Sequence, residues 1–138
     1  MKRIFITLII LTSLSCKKNP ETYIEHLNGY WEIEKVILAS GEEHSYNYNE
    51  FIDYFSVSDS LEGFRKKLRP LLNGTFEASK DAEQFNLKIE HDSLNIYYKT
   101  DFSNWKETIL QASENDLKII NKDKNIYIYK PYKPIKTN

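Results

Sequence analysis

From Phe85 to Lys130 apolar and polar residues alternate in short runs, and the runs are separated by compact polar clusters. Phe85, Leu87 and Ile89 alternate with Asn86, Lys88 and Glu90. After His91-Asp92-Ser93 the chain resumes with Leu94, Ile96 and Tyr98 against Asn95, Tyr97 and Lys99. A period of two places one set of side chains on a buried face and the other in water, so this stretch predicts a β-hairpin. Trp105–Ala112, Leu117–Asn121 and Ile126–Lys130 continue the series, joined at Glu114-Asn115-Asp116 and Lys122-Asp123-Lys124. Strands joined this tightly lie antiparallel to their neighbours as a meander, whose open edges must be closed or covered. Pro131 and Pro134 prevent a further central strand and leave an extended tail.

The N-terminal half follows the same pattern less regularly. In Tyr30–Ala39, Trp31 and Ile33 fall on one face and Val36 and Leu38 on the other, which predicts a bulge near Glu34 and Lys35. Ser40-Gly41-Glu42-Glu43 closes that strand. A second run, Tyr46–Val57, carries Tyr46, Tyr48, Phe51, Phe55 and Val57 and is interrupted by Asn47, Asn49 and Asp53. Asn73-Gly74 signals a turn before Thr75–Ser79. The segment Ser58–Leu72 fits two structures. Leu61, Phe64, Leu68 and Leu71 recur at helical spacing behind Asp59 and Glu62, a possible capping box, whereas Phe64, Lys66 and Leu68 fit a strand and Gly63 disfavours a helix.

The 138 residues suffice for one domain. With 41% hydrophobic and 14% aromatic residues the chain can build a core, and a formal charge of −1 gives no general attraction to nucleic acid. The single Cys excludes an internal disulfide framework and any zinc site built on several cysteines.

That Cys ends an apolar leader. Lys2 and Arg3 precede the run Ile4–Leu14, which as a helix would rise about 16 Å against a hydrocarbon core of about 30 Å, so it reads as a signal peptide and not as a transmembrane span. Leu14-Ser15-Cys16 resembles a bacterial lipobox, although Ser13 stands where such motifs usually carry Leu. The resemblance implies cleavage before Cys16, lipidation of its thiol and anchoring to a membrane by two or three acyl chains. Residues 1–15 are then the signal peptide, 16–26 a tether, 27–132 the folded domain and 133–138 the tail. Lys17, Lys18 and Asn19 follow the Cys without an Asp beside it, which favours the outer membrane of a cell envelope.

Asn28-Gly29-Tyr30-Trp31 at the start of the first strand resembles the Gly-x-Trp signature of the lipocalins. Tyr127-Ile128-Tyr129-Lys130 resembles the closing strand of small lipocalin-like lipoproteins of Gram-negative bacteria. The resemblance implies an all-β fold, a small antiparallel up-and-down barrel of about eight strands, with Gly29 and Trp31 as structural signature positions. Lys130 stands nearest to the position from which an Arg would pack on the Trp. It also implies a cavity that could hold a small apolar or lipid-like ligand. The same aromatics could instead fill the interior, leaving a structural or interaction lipoprotein, including an inhibitor or immunity type, that meets another envelope protein.

No phosphate loop, His-Glu-x-x-His helix or nucleophile elbow is present, and His26, His44 and His91 lack metal-ligand spacing, so neither an enzyme, a cofactor nor a metal is expected. Glu50, Asp53, Asp101 and Glu107 could meet across strands, as acids in any such chain could. Arg65, Lys66, Lys67 and Arg69 form the one local concentration of charge. They read either as a basic interaction patch or as a solvated face beside Asp59 and Glu62.

Overall fold

The computed structural model describes residues 19–134, which form the helix α1 (Glu21–Leu27) and nine strands. The strands are β1 (Gly29–Ile37), β2 (Glu43–Ser45), β3 (Ile52–Val57), β4 (Glu62–Pro70), β5 (Phe76–Glu90), β6 (Ser93–Lys99), β7 (Asn104–Ala112), β8 (Leu117–Ile120) and β9 (Ile126–Pro131). Apart from β2, each pairs antiparallel with the next, and β9 returns to β1 with Trp31 opposite Pro131 and Ile37 opposite Ile126. The result is a closed eight-stranded antiparallel barrel with one short helix. Closure removes the unpaired edges that a meander would otherwise expose. β2 is a short addition that pairs with the end of β1. The signal peptide and the Cys16 lipobox lie outside the described residues.

The predicted bulge is present. Pairing of β1 with β9 shifts between Ile33 and Lys35, which resets the alternation so that Trp31 and Val36 are both buried. The hairpin at His91-Asp92 also forms. Both residues take left-handed backbone angles, the turn that matches the twist of two antiparallel strands, and Glu90 pairs with Ser93 beyond them.

In Ser58–Leu72 the structure takes the strand of the two alternatives, and two further segments differ from the sequence expectation. Ser58–Leu72 holds no helix, because Glu62–Pro70 pairs with β3 on one side and β5 on the other, and a helix there would leave both neighbours without partners. Ser58 to Leu61 forms the turn instead of a capping box, with Leu61 at φ 64°. In the run Tyr46–Val57 the strand begins only at Ile52, and Tyr48 lies 83% exposed in the preceding loop. Phe76–Ser79 and Phe85–Glu90 belong to one 15-residue strand. The polar interval between them takes up the register shift against Lys66 and Leu68.

All of the helix except Leu27 lies in the stretch read as a tether. Asn19 Oδ1 accepts the Glu21 N–H at 3.0 Å, and Pro20 precedes the first turn, where its missing N–H is harmless. Leu27 is fully buried, and its carbonyl accepts the Trp31 indole N–H at 3.0 Å. Between them Gly29 at φ 130° turns the chain from helix into strand, a conformation that side chains other than glycine rarely adopt. Gly29 thus joins the helix to the first strand, and Trp31 packs in the core beside Leu27. Lys130 plays no part in this: its ammonium lies 3.6 Å from Glu32, and the two residues face each other across β9 and β1. Above the helix, Phe55, Phe85, Leu87, Leu94, Ile96, Ile109, Leu117 and Ile119 fill the interior.

Candidate ligand site in the barrel mouth

The charged site follows from the alternation that builds the core. Two residues along each strand from an inward apolar position comes the next inward position. Counting away from the helix, Phe55 is followed by Asp53, Gly63 by Arg65 and then Lys67, Phe85 by Glu83, and Ile109 by Glu107 and then Trp105. One half of the barrel is therefore apolar and filled, and the other half carries ionisable groups.

Arg65 stands at the centre. Its Nη2 lies 2.6 Å from Glu83 Oε2 and its Nη1 3.3 Å from Glu107 Oε1, and the guanidinium rests over the Tyr98 ring, 4.7 Å from the centroid. Tyr98 stacks in turn on Trp105 at 4.8 Å. Lys67 Nζ lies 2.7 Å from Asp53 Oδ1, pairing with a carboxylate that is itself buried. Burial works against the charge of Arg65, but the combined field of Tyr98, Asp53, Glu107 and Glu83 outweighs it and raises its pKa. Burial raises Glu107 above the usual carboxylate range, with Arg65 and Trp105 pulling the other way. Tyr98 and Tyr129 are raised by burial and remain neutral phenols.

These groups border an open cavity of about 570 Å³, whose lining includes Arg65, Lys67, Glu83, Trp105, Glu107 and Tyr129. A neighbouring space of about 240 Å³ shares Lys67, Tyr127 and Tyr129 with it and reaches Trp31 and Asp53. A larger depression of about 760 Å³ follows Lys80–Asn86 and the turn at Lys99–Phe102 and meets the first cavity at Glu83. The paired charges converge on the 570 Å³ space, so that space is the candidate site. The turn between β8 and β9 forms part of its rim. Asn121 Oδ1 accepts the backbone N–H groups of Asp123 and Asn125, each at 3.0 Å, and its amide reaches the Tyr127 hydroxyl at 3.3 Å.

The predicted site residues are thereby redistributed. The basic stretch is not a continuous patch, because strand alternation sends Arg65 and Lys67 inward and Lys66 outward, while Arg69 pairs with Glu77 and Glu50. Of the four acids considered together, Asp53 and Glu107 enter the barrel, and Glu50 and Asp101 stay exposed. Glu83 and Tyr98 were not singled out by sequence. Their signal was an inward parity shared with Phe85 and Ile96. The expected apolar lining gives way to a mixed one: aromatic rings on the wall and five ionisable side chains, Asp53, Arg65, Lys67, Glu83 and Glu107, below them. Among the described residues no group of three His, Cys, Asp or Glu is placed to hold a metal ion.

The raised pKa of Glu107 sets a sign. A carboxylate whose folded pKa exceeds its unfolded value adds stability that is fully present below the unfolded pKa and is lost as pH rises through the folded one. Burial is the main cause of the shift, with Glu83 and Asp53 adding to it and Arg65 and the hydrogen bond from Trp105 opposing it. Relative to Glu107→Gln, the native protein should therefore gain stability as the pH falls from neutral towards about 4.5. Denaturant titrations of both proteins across that interval check this; a difference independent of pH would show that Glu107 titrates as an exposed acid.

The chain is thus a small closed antiparallel β-barrel, filled and capped by a helix at one end and open onto a cavity of about 570 Å³ at the other. The chain belongs to the lipocalin-like domain family, whose model matches residues 27–119. Two solved structures are similar to it. A lipocalin-like protein from Bacteroides uniformis has a TM-score of 0.48 at 10% identity, over 78% of this chain and 99% of that one. An uncharacterized protein from Bacteroides eggerthii has a TM-score of 0.50 at 11% identity, over 77% and 99%. A comparison with curated proteins finds no match.

Proposed function

We propose that this protein is a lipid-anchored envelope protein whose barrel holds a small molecule in its open mouth and performs no chemistry on it. The observation that carries this reading is the 570 Å³ cavity above a filled core, with polar groups converging on it from several strands. Its ionisable groups are engaged with one another, Arg65 with Glu83 and Glu107 and Lys67 with Asp53, which supports holding a ligand over transforming one. The ligand carries polar atoms as well as an apolar body, because a purely apolar occupant would strip water from these charges and return no hydrogen bond. A barrel acting only as an interaction surface for an envelope partner has no need of such a space.

Anchoring through Cys16 is supported by the leader and by Leu14-Ser15-Cys16. The absence of Asp after the Cys supports the outer membrane. The test is native mass spectrometry of the full-length protein, extracted in detergent from the envelope of its own host. Two increments should appear: a lipid mass that survives denaturation and vanishes in Cys16→Ser, and a small-molecule mass that is released on denaturation and reduced in Trp105→Ala. A protein that carries no releasable mass after such exposure overturns the ligand reading, and an unmodified Cys16 overturns the anchor.

A further inference from the structure

The balance of charge inside the mouth narrows the ligand class. Three carboxylates, Asp53, Glu83 and Glu107, face two cations, Arg65 and Lys67, so the interior carries one uncompensated negative charge. Lys106 also borders the cavity, but its ammonium lies 5.8 Å from the Tyr97 ring centroid, among Glu90, Asn95 and Lys88, and offers no counter-charge to the interior. Lys122 and Asp123 on the rim offset each other.

The deficit can be placed. Asp53 has Lys67 at 2.7 Å and Glu83 has Arg65 at 2.6 Å, whereas Glu107 holds the same guanidinium only at 3.3 Å although its side chain is just 9% exposed. The raised pKa of this carboxyl agrees with a buried acid short of positive charge. The walls are suitable as well, since Trp105, Tyr127 and Tyr129 present electron-rich rings to the cavity. Behind this wall the Tyr98 hydroxyl and the Arg65 Nε–H are buried without hydrogen-bond partners among the described residues, the one able to accept and the other to donate.

We infer that the mouth of the barrel binds a small organic cation, a protonated amine on an apolar or aromatic body, with Glu107 taking the charge and Trp105 and Tyr127 the body. The inference rests on the reading of the mouth as a ligand site. An anion would meet the uncompensated carboxylate. A neutral body of the same shape would bury it further without neutralising it. An ammonium gives Glu107 the counter-charge it lacks and leaves the ion pairs of Arg65 and Lys67 intact.

The test is calorimetric titration of the full-length protein at neutral pH with three molecules of one shape and different charge: tyramine, para-ethylphenol and para-hydroxyphenylpropionate. Tyramine should bind at least about tenfold more tightly than the phenol, and the carboxylate more weakly than either. Glu107→Gln should remove that advantage by weakening tyramine, and with the carboxylate gone it should bind the phenol at least as tightly as the native protein does. Glu83→Gln supplies the same comparison if the first variant does not fold. Equal affinity for all three, or preference for the carboxylate, overturns the assignment and leaves the ligand site standing. If none of the three binds up to about 1 mM, the assignment fails; a releasable small molecule on the native protein then preserves the ligand reading, and its absence removes both.

Discussion

Replacing Arg65 with Met should cost about 3 kcal/mol of stability at neutral pH, the low end for breaking a buried ion pair. The methionine keeps most of the apolar stem, so the loss isolates the guanidinium, including its contact over the Tyr98 ring. Without it Glu83 and Glu107 lose the only cation paired with them among the described residues, and Lys67 remains 2.7 Å from Asp53 and does not replace it. The low end applies because the Glu83 side chain is 28% exposed and water can partly solvate it. The midpoint of thermal unfolding should fall by on the order of 10 °C. The cause is also testable: the deficit should shrink as the pH is lowered and the stranded acids take up protons, and the triple variant Arg65→Met, Glu83→Gln, Glu107→Gln should recover most of it. A loss below about 1 kcal/mol in denaturant titrations would mean that the cluster behaves as a surface network.

Gly63→Ala should be the next most damaging change, about 2–3 kcal/mol. A Cβ built there lies 2.2 Å from the Ser56 carbonyl oxygen and 2.7 Å from the Phe85 ring, so a single methyl group collides with the backbone of β3 and with a core aromatic. Phe85 faces Gly63 across β4 and β5 and occupies the volume a side chain would take. Phe85 could yield by repacking, but the Ser56 carbonyl belongs to the strand paired with β4 and cannot move without disturbing the register of Ser56 with Phe64 and Val57 with Gly63. In a double-mutant cycle, Phe85→Leu should therefore rescue Gly63→Ala only in part. A stability within about 0.5 kcal/mol of the native protein would show that the two strands separate freely at this point.

These two residues show how far the sequence can be read. Gly63 was visible only as a residue that disfavours a helix in Ser58–Leu72. Its actual requirement, room for the ring of a residue on the next strand, is a property of the β4–β5 register and has no local signature. Arg65 was visible as part of a basic run, and the run misled because charge was counted along the chain. In a strand, neighbouring residues point to opposite faces, so Arg65 and Lys66 share a sequence environment and no spatial one. At Lys130, where the family pattern has an Arg on the Trp, the sequence already departs from that pattern. The lysine occupies the expected strand, yet its side chain meets Glu32, and the Trp31 indole is satisfied by the Leu27 carbonyl from a helix that the sequence did not announce.

The sequence by itself determined the strand succession from Phe85 to Lys130, the bulge near Glu34 and Lys35 and the hairpin at His91-Asp92. Each follows from interactions within a few residues: alternation and turn conformation. Tertiary structure alone decided that Ser58–Leu72 is a strand, that one end of the barrel is filled, and that Asp53, Arg65, Glu83 and Glu107 meet inside the other end. A helix and a strand of similar local merit are separated by whether the neighbouring strands need partners. Buried charges from three or four strands become a site only when closure brings them within a few ångströms of one another, where low polarity makes their pairing decisive.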